Sequence, residues 1–192
     1  MAAPRILIVY GTHHGQSAAV ARRIAESLQT AGGQTLVVNG GKVPRGLTPR
    51  DFDAVIVGGS IQYNRHQRFL RDFVRAHRDA LNAMPSAFFS VSGAAAGRTI
   101  ADHTKADGYV ADFLRETGWH PTDSATFGGA MAYTSYNPLM RWMMRRISAR
   151  VGGPTDTTRD HSFTDWAQVE RFANAFASTV SQPPRERFPV TA

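Results

Sequence analysis

The chain contains no cysteine, which excludes disulfides, thiolate-held metals, iron–sulfur clusters and a thiol nucleophile. Any redox chemistry must therefore rest on a cofactor. Long apolar runs are missing too: none approaches the roughly 20 residues of a membrane-spanning helix, and a strand pattern begins by Ile6, leaving no space for a secretory leader. A cytoplasmic location is expected. Acidic residues are the scarcer charge, 15 against 22 lysines and arginines, giving a formal charge of +7. Such a surface attracts anions, whether phosphorylated or carboxylated ligands, nucleic acid or an anionic membrane face. The rest of the 192-residue sequence has the composition of one soluble domain with a full core.

Ile6 to Tyr10 is a short apolar run of the kind that forms a strand covered on both faces. From Ser17 to about Thr30, Val20, Ile24 and Leu28 recur every fourth residue, predicting a helix that Gly32 and Gly33 stop. Further strands are predicted at Thr35 to Asn39, Ala54 to Gly58, Ala87 to Val91 and Ser124 to Gly128. Between them come a short helical turn at Thr48-Pro49, a helix over Arg65 to Leu81 burying Phe69, Leu70, Phe73 and Val74, and one carrying Val110, Phe113 and Leu114. A last helix, Asp165 to Val180, turns Trp166, Val169, Phe172, Ala173 and Phe176 inward. Five strands alternating with helices predict an α/β domain with a doubly wound parallel sheet over residues 1–181. Residues 129–161 separate the fifth strand from the last helix by far more than the usual connection, which marks a functional insertion. The proline-containing tail, 182–192, reads as disordered.

After the first strand, Gly11-Thr12-His13-His14-Gly15-Gln16-Ser17 leads straight into a helix. Unpaired N–H groups and the helix dipole make such a head an anion site, and the Thr12 and Ser17 hydroxyls can add donors. The spacing fits neither the dinucleotide pattern G-x-G-x-x-G nor a P-loop ending in G-K-[ST]. The plainer alternative is a tight turn whose hydroxyls only cap the helix. His13 and His14 are adjacent and cannot share a metal, and the other histidines are scattered, so no metal centre is expected.

The stretch from Ile8 to Ala21 resembles the flavodoxin signature, with Ser17 where threonine is commoner. That resemblance implies a flavodoxin-like sheet in the order 2-1-3-4-5 and a non-covalent FMN at the carboxyl ends of the strands. Its phosphate would lie on Thr12, His13, His14, Gly15, Gln16 and Ser17. Its ring would be flanked by Ser60, Ile61, Gln62, Tyr63 and Asn64 after the third strand and by Ser90, Val91, Ser92 and Gly93 after the fourth. Tyr63 would stack on the ring; the alternative is an ordinary half-buried loop tyrosine.

Val55 to Tyr63, Leu81 to Val91 and Gly152 to Trp166 are similar to the menaquinone-dependent protoporphyrinogen IX dehydrogenases, and the similarity runs to about Ala177. Gln62 departs from it, replacing an arginine common there, and Ala94 to Thr104 is less basic. The resemblance implies an FMN enzyme of haem biosynthesis that takes hydride equivalents from a porphyrinogen in three two-electron steps and returns them to a membrane quinone. No residue is assigned as catalytic base.

Within the insertion, Leu139, Met140, Met143, Met144, Ile147 and Val151 fall largely along one helical face, with Trp142 beside them and arginines elsewhere. A basic amphipathic helix of this kind suits a membrane surface. Arg141, Trp142, Arg145 and Arg146 are the candidates for substrate or membrane contact, the arginines by pairing with porphyrin propionates. The alternative is packing on its own domain or on a second copy of the chain. No nucleic-acid partner is expected. Competing functions on the same fold are an electron-carrying flavodoxin, an NAD(P)H:quinone oxidoreductase and a flavin-free interaction module. The basic charge and the insertion argue against the carrier, and the intact loop argues against the flavin-free module.

Overall fold

The structure, a computed structural model, describes residues 2–150 and 152–181; the tail read as disordered lies outside them. Five parallel strands form one sheet: β1 (Arg5–Gly11), β2 (Gln34–Asn39), β3 (Ala54–Ser60), β4 (Ser86–Ser92) and β5 (Asp123–Gly128), in the order β2-β1-β3-β4-β5. The register pairs Ile8 with both Val37 and Ile56, and Val57 with Phe88. Helices α1 (Gln16–Thr30) and α5 (Trp166–Ser181) enclose one core layer with Ile8, Ile56, Phe89 and Phe127. Helices α2 (Arg68–Ala83) and α3 (Ile100–Thr117) enclose the other with Leu7, Val57, Phe88 and Trp119. Alternate residues of each central strand enter opposite layers, so both sets must be apolar, as the unbroken runs in β1 and β3 are.

Local signals set the element ends. Thr99 and Asp102 cap the start of α3 reciprocally, and Gly118 closes it in the left-handed region at φ 66°. Thr48 Oγ1 accepts from Arg50 N and starts the predicted short turn, Pro49–Asp51. Three expectations need correction. Helix α2 begins at Arg68, not Arg65, because Gln62 and Arg65 pair as an antiparallel bridge. Trp166 is 37% exposed, being the first residue of α5 and beyond the reach of the core. The apolar residues of the insertion helix split between two faces, as described below.

One glycine in the sheet is fixed by packing. A Cβ at Gly58 would lie 2.1 Å from the ring of Phe89, its partner across the β3–β4 ladder, and Phe89 is fully buried. Gly58→Ala is therefore expected to cost about 3 kcal/mol through overpacking, read as a lower urea midpoint at unchanged slope. A midpoint equal to the parent's would show that Phe89 has room to yield.

Candidate functional site

Because every strand runs the same way, the loops after β1, β3 and β4 meet at one end of the sheet. The first loop is folded by its own atoms: Thr12 Oγ1 accepts from Gly15 N at 2.9 Å, and Gly15 takes φ 87°, which a glycine adopts freely. The head of α1 is left open. It has no acidic residue in its first turn, and among the described residues no side chain caps it. Ser17 Oγ, fully buried, has no hydrogen-bond partner among the described residues. An uncapped 15-residue helix over an unsatisfied buried hydroxyl suits a phosphate, which would accept from both. His13 and His14 are exposed. Partial burial, then the charge of His14, hold the His13 imidazole below its ordinary pKa.

The loop after β3 is a rigid turn. Gln62 and Arg65 exchange both backbone hydrogen bonds, at 2.9 and 3.1 Å, and Tyr63 and Asn64 between them have φ 50° and 61°. Two successive left-handed residues define a type I′ turn, an unusual conformation for a pair lacking glycine. The Tyr109 hydroxyl donates to Asn64 Oδ1 at 2.8 Å, and Ile61 N donates to Val91 O at 2.9 Å, so both ends of the turn are tied down. Tyr63 is 86% exposed at its tip. It is a presented side chain, not the half-buried loop residue of the alternative reading. Gln62 and Arg65 stand opposite each other across the turn.

Two expectations for the β4 side are revised. Ser90 and Val91 are 1% and 2% exposed, pointing into opposite core layers. Ser90 Oγ bonds to His66 Nε2 at 2.9 Å, and Val91 joins the α1/α5 core. A ligand here meets their backbone at most. Ser92 Oγ accepts from Ala95 N at 3.1 Å and folds the exposed Gly93 loop.

The head of α2 supplies residues that the sequence reading overlooked. His66, packed against the rings of Phe88 and Phe113, has its pKa pushed down to about 3 by burial and then by the Arg71 charge, so it is neutral. Gln67 Nε2 donates to Ser60 Oγ at 2.9 Å, while its buried Oε1 is unpaired among the described residues. The Gln67 amide fills the space that side chains at Gly11 and Gly59 would need, each Cβ falling within 2.7 Å of Oε1. Those two glycines thus seat Gln67 between the ends of β1 and β3.

The insertion folds back onto the first loop. It comprises a short antiparallel pair, β6 (Ala130–Met131) and β7 (His161–Ser162), around helix α4 (Pro138–Arg150). Gln16 Nε2 donates to Thr164 Oγ1 at 2.7 Å and Ser162 Oγ at 3.1 Å, while His14 meets Ser135 Oγ at 3.4 Å and the edge of Tyr136. The Gln16 amide therefore faces the insertion and not the open head of α1. On α4, Met140 and Met144 are half-buried, whereas Leu139, Met143 and Ile147 are 75%, 41% and 44% exposed. Val151, expected on this face, lies outside the described residues. Arg141 points inward, donating to the carbonyls of Tyr133 and Tyr136 at 2.9 and 3.2 Å, which withdraws it from the proposed outer contact surface. Arg145, Trp142 and Arg146 are exposed, the Arg146 guanidinium 5.3 Å from the centre of the Trp142 ring.

A larger hollow of about 630 Å³, lined by Trp119, Pro121 and Asp123 among others, lies around the start of β5, at the other end of the sheet from these loops. It has no part in the site.

Residues 7–158 match the family profile described as Flavodoxin domain, so the protein is a flavodoxin-fold protein and its cofactor class is a flavin. An archaeal flavodoxin structure superposes with TM-score 0.55 at 17% identity, covering 93% of this chain and 99% of its own, which speaks for the fold alone. Two relatives are nearer in sequence. The chain is 34% identical over 181 residues to the protoporphyrinogen IX dehydrogenase [quinone] of Escherichia coli (strain K12), covering 93% of this chain and 98% of that one. It is 33% identical over 186 residues to the enzyme of the same name from Leishmania major, covering 96% and 80%. The chain belongs to the family of these quinone-dependent dehydrogenases.

Proposed function

We propose that the protein is an FMN-dependent protoporphyrinogen IX dehydrogenase with a quinone as electron acceptor. The observation that supports this reading over a simple electron carrier is the insertion, which is bonded to the cofactor loop through Gln16 and His14 and so holds α4 beside the site. When bound, the flavin supplies the redox chemistry by accepting hydride equivalents from the substrate and giving them up to the quinone. The rest is positioning. The open head of α1 and the Ser17 hydroxyl hold the phosphate, and Thr12 shapes the loop by accepting from Gly15 N. The braced turn presents Tyr63 as a stacking surface on a backbone whose conformation is set before any ligand arrives, which lowers the ordering cost of binding. Ala94 to Gly97, small and only partly buried, leave the β4 side open to a broad, flat substrate. His66, buried and bonded to Ser90 Oγ, is not presented to a ligand at the loops.

The test is anaerobic mixing of the FMN-loaded protein with protoporphyrinogen IX, following flavin absorbance and porphyrin fluorescence, with NADPH in a parallel sample. Bleaching by the porphyrinogen and reoxidation by a menaquinone analogue are expected. Bleaching by NADPH alone would replace this reading with a quinone reductase, and bleaching by neither with an electron carrier.

The outer face of α4 fits an anionic bilayer, from which a quinone would be reached: Leu139, Met143 and Ile147 form an apolar ridge flanked by Trp142, Arg146 and Arg150. Each arginine near an anionic surface contributes about 1 kcal/mol. The protein is expected to sediment with phosphatidylglycerol vesicles, and Met143→Glu with Ile147→Glu to lower the bound fraction about fivefold at unchanged FMN content. Equal sedimentation of the double variant would remove α4 from membrane contact.

A further inference from the structure

Next to the turn that presents Tyr63 lies a cleft of about 280 Å³, walled by His13 on one side and by Gln62, Arg65, Arg68 and Phe69 on the other. Its lining contains no carboxylate. Arg65 is exposed and makes no ion pair or side-chain hydrogen bond among the described residues. Arg68, at the start of α2, reaches Asp72 only at 3.5 Å, its side chain 87% exposed. Elsewhere on the same helix Arg71 is matched by Glu116 at 3.2 Å. Arg65 has no carboxylate partner among the described residues and Arg68 only the long, solvated contact to Asp72, so a cleft lined by both and by no carboxylate is suited to an anionic group supplied from outside.

The phosphate has its own receptor in the open head of α1, where Ser17 is buried. Arg65 instead stands on the turn of Tyr63, held opposite Gln62 by the paired backbone bonds, so its reach is set by the same braced backbone. We propose that this cleft is a carboxylate subsite for the substrate, with Arg65 as the principal partner of an acid side chain at the edge of the tetrapyrrole and Arg68 as the second. The proposal rests on the porphyrinogen reading above. It moves the carboxylate-pairing role from the helix α4 arginines to a concave site, where Arg65 and Arg68 line one cleft and each guanidinium can pair with a carboxylate bidentately.

The experiment uses the full FMN-loaded chain, Arg65→Gln, and the charge moved across the turn in Gln62→Arg with Arg65→Gln. Binding of protoporphyrin IX and of its dimethyl ester is followed in the dark by fluorescence, and turnover of the porphyrinogen is measured separately. R65Q is expected to weaken binding of the dicarboxylic acid and raise KM about tenfold, with kcat within about twofold and ester binding and FMN affinity unchanged. The charge-moved variant should recover a substantial part of the acid affinity. Undiminished acid binding by R65Q overturns the subsite, as does equal loss of acid and ester, or a loss of FMN affinity in place of acid affinity. If the parent protein fails to oxidise porphyrinogen yet prefers acid to ester through Arg65, the functional reading falls and the subsite stands. A parent that binds neither form overturns the subsite as well.

Discussion

Thr12→Asp is expected to leave the apo-protein folded while weakening FMN binding by about a thousandfold. Thr12 uses its side chain to accept from Gly15 N at 2.9 Å, and an aspartate oxygen accepts the same bond. The head of α1 has no acidic residue in its first turn, so a new carboxylate meets the positive end of the helix dipole and favours the fold. With the phosphate where we propose it, the same carboxylate faces it. Two unit charges about 4 Å apart at an effective dielectric near 20 repel by roughly 4 kcal/mol, which is about three orders of magnitude in affinity. Riboflavin, which lacks the phosphate, supplies the control. Titrating apo-protein by flavin fluorescence should show FMN affinity collapsing while riboflavin affinity stays within about threefold. Joint loss of both would mean that the loop had refolded, and an unaffected FMN would place the phosphate elsewhere.

This first loop was readable because all of its information is local: a strand, a glycine-containing turn, two hydroxyls and a helix follow one another within a dozen residues. The doubly covered parallel sheet was legible for a related reason, since continuous apolar runs in β1 and β3 demand cover on both faces, whereas its strand order came only from the resemblance to flavodoxins. The turn at Tyr63 and Asn64 was not. Neither residue is glycine, and what holds both in the left-handed region includes the hydroxyl of Tyr109, 45 positions away. With that turn missed, Arg65 to Gln67 looked like helix. Ser90 and Val91 were assigned to the site by their place at the end of a strand, yet the alternation of β4 sends both into the core. On α4, adjacent ridges of apolar residues looked like one face, because periodicity does not tell which ridge has something to pack against. Met140 and Met144 are half-buried, while Leu139, Met143 and Ile147 are left exposed. Gln16 was placed at the phosphate because nothing in the sequence links it to Ser162 and Thr164.

Acid should destabilise the protein through His66. Its imidazole is 6% exposed, lies against Phe88 and Phe113, and bonds to Ser90 Oγ at 2.9 Å. Burial first, and the Arg71 charge second, lower its pKa from 6.5 to about 3. Between those values the unfolded chain binds a proton that the folded one refuses, so stability rises with pH through this window and falls as pH drops from 6.5 towards 3. Each pH unit inside it costs about 1.4 kcal/mol, making the loss at pH 4.5 on the order of 3 kcal/mol. Replacing His66 alone by phenylalanine would strand the buried Ser90 hydroxyl. His66→Phe with Ser90→Ala removes both partners at similar shape and should be nearly neutral at pH 7.5. Urea unfolding at pH 7.5 and 4.5 should then show the parent losing about 3 kcal/mol more than the double variant. An equal loss in both proteins would mean that His66 is already charged or solvated in the folded state. Because bound FMN is lost when the chain unfolds, its release from the parent should begin at a higher pH than from the double variant, which lacks the buried imidazole.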